Sequence, residues 1–491
     1  MKLSRNAGSL LSAAIAAVLA NSAYATNGMN LEGYGPVATA MGGASMAYDN
    51  GTAAVMNNPA TLGLMSDGAR LDVALGMLGP RVEATLAIPN NNMTANSESN
   101  AFFMPAVGYA RKNGVWTYGL GVFAQGGMGT EFGGTTWMSN PDPSFGNPGL
   151  VNRSEVSVGR LVLPLVFQPA AAWRVGGSID FVWAGMDLKM AMSQAQFMNL
   201  ATPGKQSIGT ASGTLADGFV QAFQGGAITA LHYAYFDFSD ESKFSGEAKG
   251  YGAAGKLGVT FQPMSALTLG ATYHSKTSLG DLETSDAKMS MSIKADPAML
   301  AGNAPTSQTD MTVPLTGKMT VVDFQWPDTF GLGASWKATD KVMLVGDIKR
   351  INWSGVMKNF TMKFEADNVP ANGNFAGKVL DAKLFQNWED QTVIALGAAF
   401  EVKEGVTLRA GFNHASNPIP DKYLNALFPA IVEDHVTFGA GFQEKASSID
   451  LSVTKALEIE ATNPGVSAES IPPVASKHSQ LSWQLAYSYR F

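Results

Sequence analysis

The C-terminal run Leu481–Phe491 alternates without an error: Leu481, Trp483, Leu485, Tyr487, Tyr489 and Phe491 fall on one face, and Ser482, Gln484, Ala486, Ser488 and Arg490 on the other. A repeat of two residues is the signature of a β-strand with one apolar and one polar side. Lipid tolerates strands only when they close into a barrel, because an open edge leaves backbone N–H and C=O groups unpaired at several kcal/mol each. The apolar face then meets lipid and the polar face the lumen. A strand of a soluble sandwich alternates too, but it seldom forms the extreme C-terminus and ends on Phe. That ending is usual for outer-membrane barrels and resembles the signal read by their assembly machinery.

Similar segments recur upstream, as in Leu71, Val73, Leu75, Met77; Trp116, Tyr118, Leu120, Val122; Phe330, Leu332, Ala334, Trp336; and Val406, Leu408, Ala410, Phe412. Tight turns are expected at Ala338–Lys341 and Lys403–Gly405. Long polar loops are expected over Gly126–Glu155, Ser193–Lys249, Asp281–Gly317 and Glu365–Gln391, with one or two short helices in Leu215–Tyr235. Short turns at one end and long loops at the other are the asymmetry of a bacterial barrel. Charged residues make up only 15% of the chain, against about a quarter in soluble domains, which suits a lipid-facing surface.

At the other terminus, Lys2 and Arg5 precede the apolar run Leu10–Ala20, and Ala23-Tyr24-Ala25 follows. A basic head, a short apolar stretch and small exit residues read as a secretory signal peptide over residues 1–25, cleaved near Ala25. Residues 26–68 lack alternation and are rich in Gly, Ala, Asn and Met. Small side chains let backbone pack inside a lumen, so this segment is expected to plug the barrel formed by residues 69–491. A loose periplasmic tail is the alternative.

Several classes are excluded or disfavoured. Past the N-terminal run, the longest apolar stretch, Leu161–Val175, is broken by Pro164, Gln168, Pro169 and Arg174, too interrupted for a membrane helix. Cysteine is absent, which removes disulfides and thiol chemistry. A net charge of −7 with scattered Lys and Arg gives nucleic acid no basic stripe. The five His, at 232, 274, 414, 435 and 478, match no metal or triad spacing, so neither catalytic residues, metal nor cofactor are expected. Gly119–Ala124 loosely resembles a dinucleotide fingerprint but lacks the following helix and acidic partner. The 24 methionines read first as filler and second as an adaptable apolar lining.

Taken together, the motifs resemble the FadL/TodX outer-membrane transporters of hydrophobic compounds: Gly42-Gly43-Ala44 then Asn58-Pro59-Ala60; Gly129-Thr130-Glu131-Phe132; Phe324–Phe330; Arg350-Ile351-Asn352-Trp353; and Arg409–Phe412 followed by Pro418–Asp421. The resemblance implies an all-β transmembrane antiparallel barrel of about 14 strands, with the N-terminal segment folded inward as a hatch carrying Asn58, Pro59 and Ala60. It implies passive uptake of apolar cargo such as long-chain fatty acids, with a bent third strand opening a sideways exit through the wall. Here that strand is Val115–Gly127, and Gly119, Gly121, Gly126 and Gly127 are the candidates for the bend. In relatives a basic residue can meet the cargo's carboxylate, whereas the corresponding strand here reads Leu165-Val166-Phe167-Gln168-Pro169, and relatives also carry aromatic hydrocarbons. A general porin, which predicts a charged lumen and no hatch, and an outer-membrane barrel enzyme are the competing readings.

Overall fold

The structure, a computed structural model, describes residues 27–88, 92–242 and 246–491; the expected signal peptide lies outside the described residues. Fourteen strands form the wall: β1 (Gly68–Leu86), β2 (Phe102–Asn113), β3 (Trp116–Phe132), β4 (Asn152–Ala170), β5 (Trp173–Met192), β6 (Ala248–Met264), β7 (Leu267–His274), β8 (Thr329–Lys337), β9 (Val342–Ile351), β10 (Gln391–Lys403), β11 (Val406–Ala415), β12 (Asp434–Glu444), β13 (Ser447–Asn463) and β14 (Val474–Arg490). Each pairs antiparallel with the next, and β14 pairs with β1 from Arg70↔Arg490 to Leu86↔Val474, closing the ring.

Alternation decides which way each side chain points. Val73, Leu75, Leu163, Leu165, Leu332, Leu408 and Leu485 are exposed on the outside, while Arg70, Asp72, Arg160, Asp180, Lys256, Asp347 and Gln484 are buried inside. Such a dressing is inverted for water and correct for lipid. The tilted pair Trp116–Phe167, centroids 4.6 Å apart, and the stacked pair Trp173–Phe261, 4.3 Å apart, lie beside the short turns, where an aromatic girdle belongs. Those turns, after β2, β4, β6, β8, β10 and β12, mark the periplasmic end.

At the opposite end the structure corrects the expected loops. β3 continues to Phe132, beyond the expected start of the first loop, and β4 begins at Asn152. The later long segments build a sheet extending the wall above the rim. From the top of β5 it runs through Ile228–Phe238, Leu282–Ala295, Thr309–Val322, Asn359–Ala366, Val379–Phe385 and Gly209–Ser212. Two helices, α1 (Gln194–Ala201) and α2 (Thr214–Gln224), pack on it. The second falls in Leu215–Tyr235 as expected, but the rest of that stretch is strand. Polarity misled the reading: in Leu282–Ala295 the apolar Met289, Met291 and Ile293 point inward and Glu283, Lys288 and Lys294 outward, so outside the membrane the strands wear their polar side to the surroundings.

Candidate functional site: a plugged lumen beside an unzipped seam

The N-terminal segment from Asn27 to Asp67 is held inside the ring by bonds to much of the wall. Its backbone N–H groups donate to carboxylates: Ser45 and Met46 to Asp347 Oδ2, at 2.6 and 3.2 Å, and Thr52 to Asp72 Oδ2, at 2.7 Å. Its carbonyls accept from Lys349 Nζ at Gly43, 2.8 Å, and from Asn413 Nδ2 at Gly42, 2.9 Å. Arg70 grips Asp49 through both guanidinium nitrogens, at 2.7 and 2.9 Å. Charge-assisted bonds of this kind are roughly twice as strong as neutral ones. Asp180 is paired with both Arg160 and Lys256, so these lumenal charges are spent on each other.

Asn58 is fully buried: Nδ2 donates to Met46 O, 2.7 Å, and to the β6 carbonyl of Val259, 3.3 Å, and Oδ1 accepts from Ala60 N, 3.1 Å. Pro59 opens the 3₁₀ turn Pro59–Leu64, where its fixed φ suits the first position. Wall glycines allow this close approach, since a Cβ at Gly258 would sit 2.0 Å from Asn58 Oδ1, and one at Gly176 would be 2.9 Å from the Cα of Ala60.

Between β2 and β3 the wall is only half zipped. Pairing runs from Asn113↔Trp116 up to Val107↔Val122 and stops. Above that point Phe102–Ala106 pair with β1 alone, and Phe123–Phe132 face β2 without a ladder. Higher still, Glu98 N donates to Glu131 O, 2.7 Å, and Glu131 N to Ser97 Oγ, 3.0 Å. The gap is therefore a bounded window. Within it β3 has a bulge against β4 between Ala124 and Gly126, which adds one unpaired residue and bends the strand.

The N-terminal segment takes up part of the missing ladder. Gly127 N donates to Met29 O, 3.1 Å, and Asn30 bridges to Gly126. A Cβ at Gly126 would lie 2.1 Å from that carbonyl. Asn30 Oδ1 accepts from Gln125 Nε2, 3.0 Å, and from Trp326 Nε1, 2.7 Å; Gln125 Nε2 also reaches the Tyr34 hydroxyl, which donates to Gln125 O at 2.6 Å. Of the expected bend glycines, Gly126 and Gly127 directly follow the irregularity, while Gly119 and Gly121 belong to the regularly paired lower part. Gln125, the bulge residue, and Asn30 were not singled out from sequence. An amide inside a glycine-rich apolar run was the available clue.

A cavity of mixed polarity at the outer rim and two small apolar spaces lie in succession toward this window. A cavity of about 640 Å³ opens among Trp137, Met138, Met190, Tyr423, Leu427 and Ile471, a size typical of small-molecule sites. It shares Gln386 with a small space of about 20 Å³ lined by Met29, Met128, Met186, Phe324, Met357 and Phe428. That space in turn shares Met128 with one of about 10 Å³ that reaches Pro80, Val82 and His478 behind the window. Three edge-to-face indoles, Trp326, Trp353 and Trp388, stand beside the N-terminal segment, and Gly28 lies against Trp353. Two come from the motifs Phe324–Phe330 and Arg350–Trp353.

A closed, lipid-facing barrel filled by its own N-terminal segment and unzipped on one side is a plugged outer-membrane channel. The chain belongs to the family of outer-membrane transport proteins described as OMPP1/FadL/TodX, which it matches over residues 12–491. Among solved structures it is similar to the toluene transporter TodX of Pseudomonas putida, at 26% identity over 94% of this chain and 99% of that one, TM-score 0.75. It is likewise similar to the toluene transporter TbuX of Ralstonia pickettii, at 28% identity over 94% and 99%, TM-score 0.70. A FadL homologue of Pseudomonas aeruginosa, 14% identical over 94% and 100% with a TM-score of 0.66, shares the fold. An uncharacterized Chlorobium limicola protein, from the region 5′ of a phosphoenolpyruvate carboxykinase gene, is 49% identical over 80 residues, 16% of this chain and 38% of that protein.

Proposed function

We propose that this chain carries uncharged hydrophobic small molecules across the outer membrane without an energy source, from the outer cavity past Met29 to the β2–β3 window and sideways into the lipid. The observation that carries the reading is the gap in the β2–β3 ladder, backed by the N-terminal segment and reached by apolar spaces that share residues. Each buried CH₂ is worth about 0.8 kcal/mol, so a cargo of modest size gains several kcal/mol on leaving water. Release needs a change that weakens the site, and displacement of Met29 and Asn30 from β3 would do this while clearing the window. In this reading the N-terminal segment is a hatch, anchored by Asn58, Pro59 and Ala60, whose first residues move.

The residues around the inner space carry no charge. A fatty-acid carboxylate there would be buried without a partner, at a cost of several kcal/mol. The toluene transporters TodX and TbuX point the same way, so a monoaromatic hydrocarbon is the first cargo to test and a long-chain fatty acid the second. Uptake of labelled toluene, oleate and a sugar would be compared in cells lacking the protein and in complemented cells. Rescue of toluene supports the reading; rescue of the sugar alone replaces it with a porin. We also propose that the mature chain begins near Thr26 and that the terminal strand is what the assembly machinery engages.

A further inference from the structure

Above the rim, His232 on the strand Ile228–Phe238 is clasped from both sides. Its Nδ1 lies 2.8 Å from Asp142 Oδ2 and its Nε2 lies 3.0 Å from Asp310 Oδ1. The ring stacks on Phe145, centroids 3.8 Å apart and planes 12° from parallel. Asp142 and Phe145 belong to the segment between β3 and β4, and Asp310 to the strand Thr309–Val322. The histidine thus joins three pieces of chain that are remote in sequence. Asp142 also lines the 640 Å³ cavity, with Asn140 and Pro141 beside it.

We infer that His232 is a proton-dependent clasp that positions the Trp137–Gly149 wall of the outer cavity, so that capture of apolar cargo depends on pH. The reasoning is donor counting. An imidazolium donates from both nitrogens and satisfies both carboxylates, whereas a neutral ring donates from only one and turns a lone pair toward the other. Hydrogen bonding to Ser144 also ties Asp142 within its own turn. Burial raises the Asp142 carboxyl, but the bonds from His232 and Ser144 outweigh it and hold the carboxyl below its ordinary range. The clasp is therefore complete only while the ring carries both protons and both carboxylates are ionised.

Other charged and polar groups face the clasp from the elements packed around it. Lys294 stands opposite Asp310 in the ladder of Leu282–Ala295, α1 offers the neutral Gln194, which accepts from Leu231 N, and Lys422 lies across the cavity.

The inference rests on the outer cavity being where cargo first binds, so the test has one readout that needs no cargo. The chain has no cysteine, and Pro143→Cys gives a single exposed site for a nitroxide. In proteoliposomes the label should become more mobile from about pH 5.5 to about pH 8, the range in which histidine titrates. In the His232→Gln background the mobility should be high and flat; in Asp310→Asn, where a neutral ring can donate to Asp142 and accept from the new amide, it should be low and flat. Toluene affinity of the unlabelled protein should fall roughly tenfold over the same range, the size of one lost bond to a charged group, and not in His232→Gln. A flat label in the wild type, or an unchanged pH response in both variants, overturns the clasp. A responsive label with no toluene binding at any pH keeps the clasp and overturns the cargo reading.

Discussion

Two seams of the same barrel are built to opposite specifications. Where β14 meets β1, pairing is continuous from Arg70↔Arg490 to Leu86↔Val474, and Phe491 adds a bond in each direction to Ala69. Where β2 meets β3, pairing ends at Val107↔Val122 and foreign groups, Met29 and Ser97, supply bonds that a neighbour strand would have made. Both seams face the same lipid, in which an unpaired amide costs several kcal/mol. The first seam therefore sets whether the molecule exists, and the second is a place where the wall is not closed by its own neighbour strand, because its bonds come from Met29 and Ser97 instead.

The largest effect is expected at the closed seam. Leu485→Arg places a charge on the lipid face of β14, and folded protein should lose about 2–4 kcal/mol, read as loss of the heat-modifiable band and a lower urea midpoint in vesicles; a stable variant would remove the lipid assignment of that face. At the open seam, Gly126→Val should leave the barrel folded but cut toluene uptake by at least about tenfold, equivalent to roughly 1.4 kcal/mol, since the new side chain would fill the space between β3, Met29 and Trp326 at the window. Unchanged uptake would mean cargo does not pass there. Asn58→Ala removes the bonds to Met46 and Val259 and should cost about 1–3 kcal/mol of local stability, visible as faster hydrogen exchange in residues 46–62 with the barrel intact. The smallest change is Gln125→Ala, worth about 1 kcal/mol for its side-chain bonds; it should shift toluene uptake a few-fold and leave the closed seam's melting unchanged.

Much of the wall was legible because lipid enforces alternation so strictly. Leu481–Phe491 and Phe330–Trp336 show their outward faces in plain sequence, and the bundled motifs pointed to the family. The extension above the rim was missed for the same physical reason: Met289, Met291 and Ile293 alternate too, but with polar partners outside, which reads as a polar loop when a lipid pattern is sought. The window was partly legible. Glycines marked β3 as deformable, yet the bulge falls at Gln125, and nothing local tells that Asn30 and Trp326 meet there, because their contacts join chain positions hundreds of residues apart.

The anchoring of the N-terminal segment by Asp347, Lys349, Asp72 and Arg70 has an electrical consequence. A fourteen-stranded tube with an empty bore would pass ionic current, whereas this bore is occupied by backbone that is itself bonded to the lumenal charges. Asp347, Asp72 and Arg70 are each bonded to that segment. In a planar bilayer the protein should therefore pass little ionic current, read as a conductance far below that of the same barrel with residues 27–67 deleted.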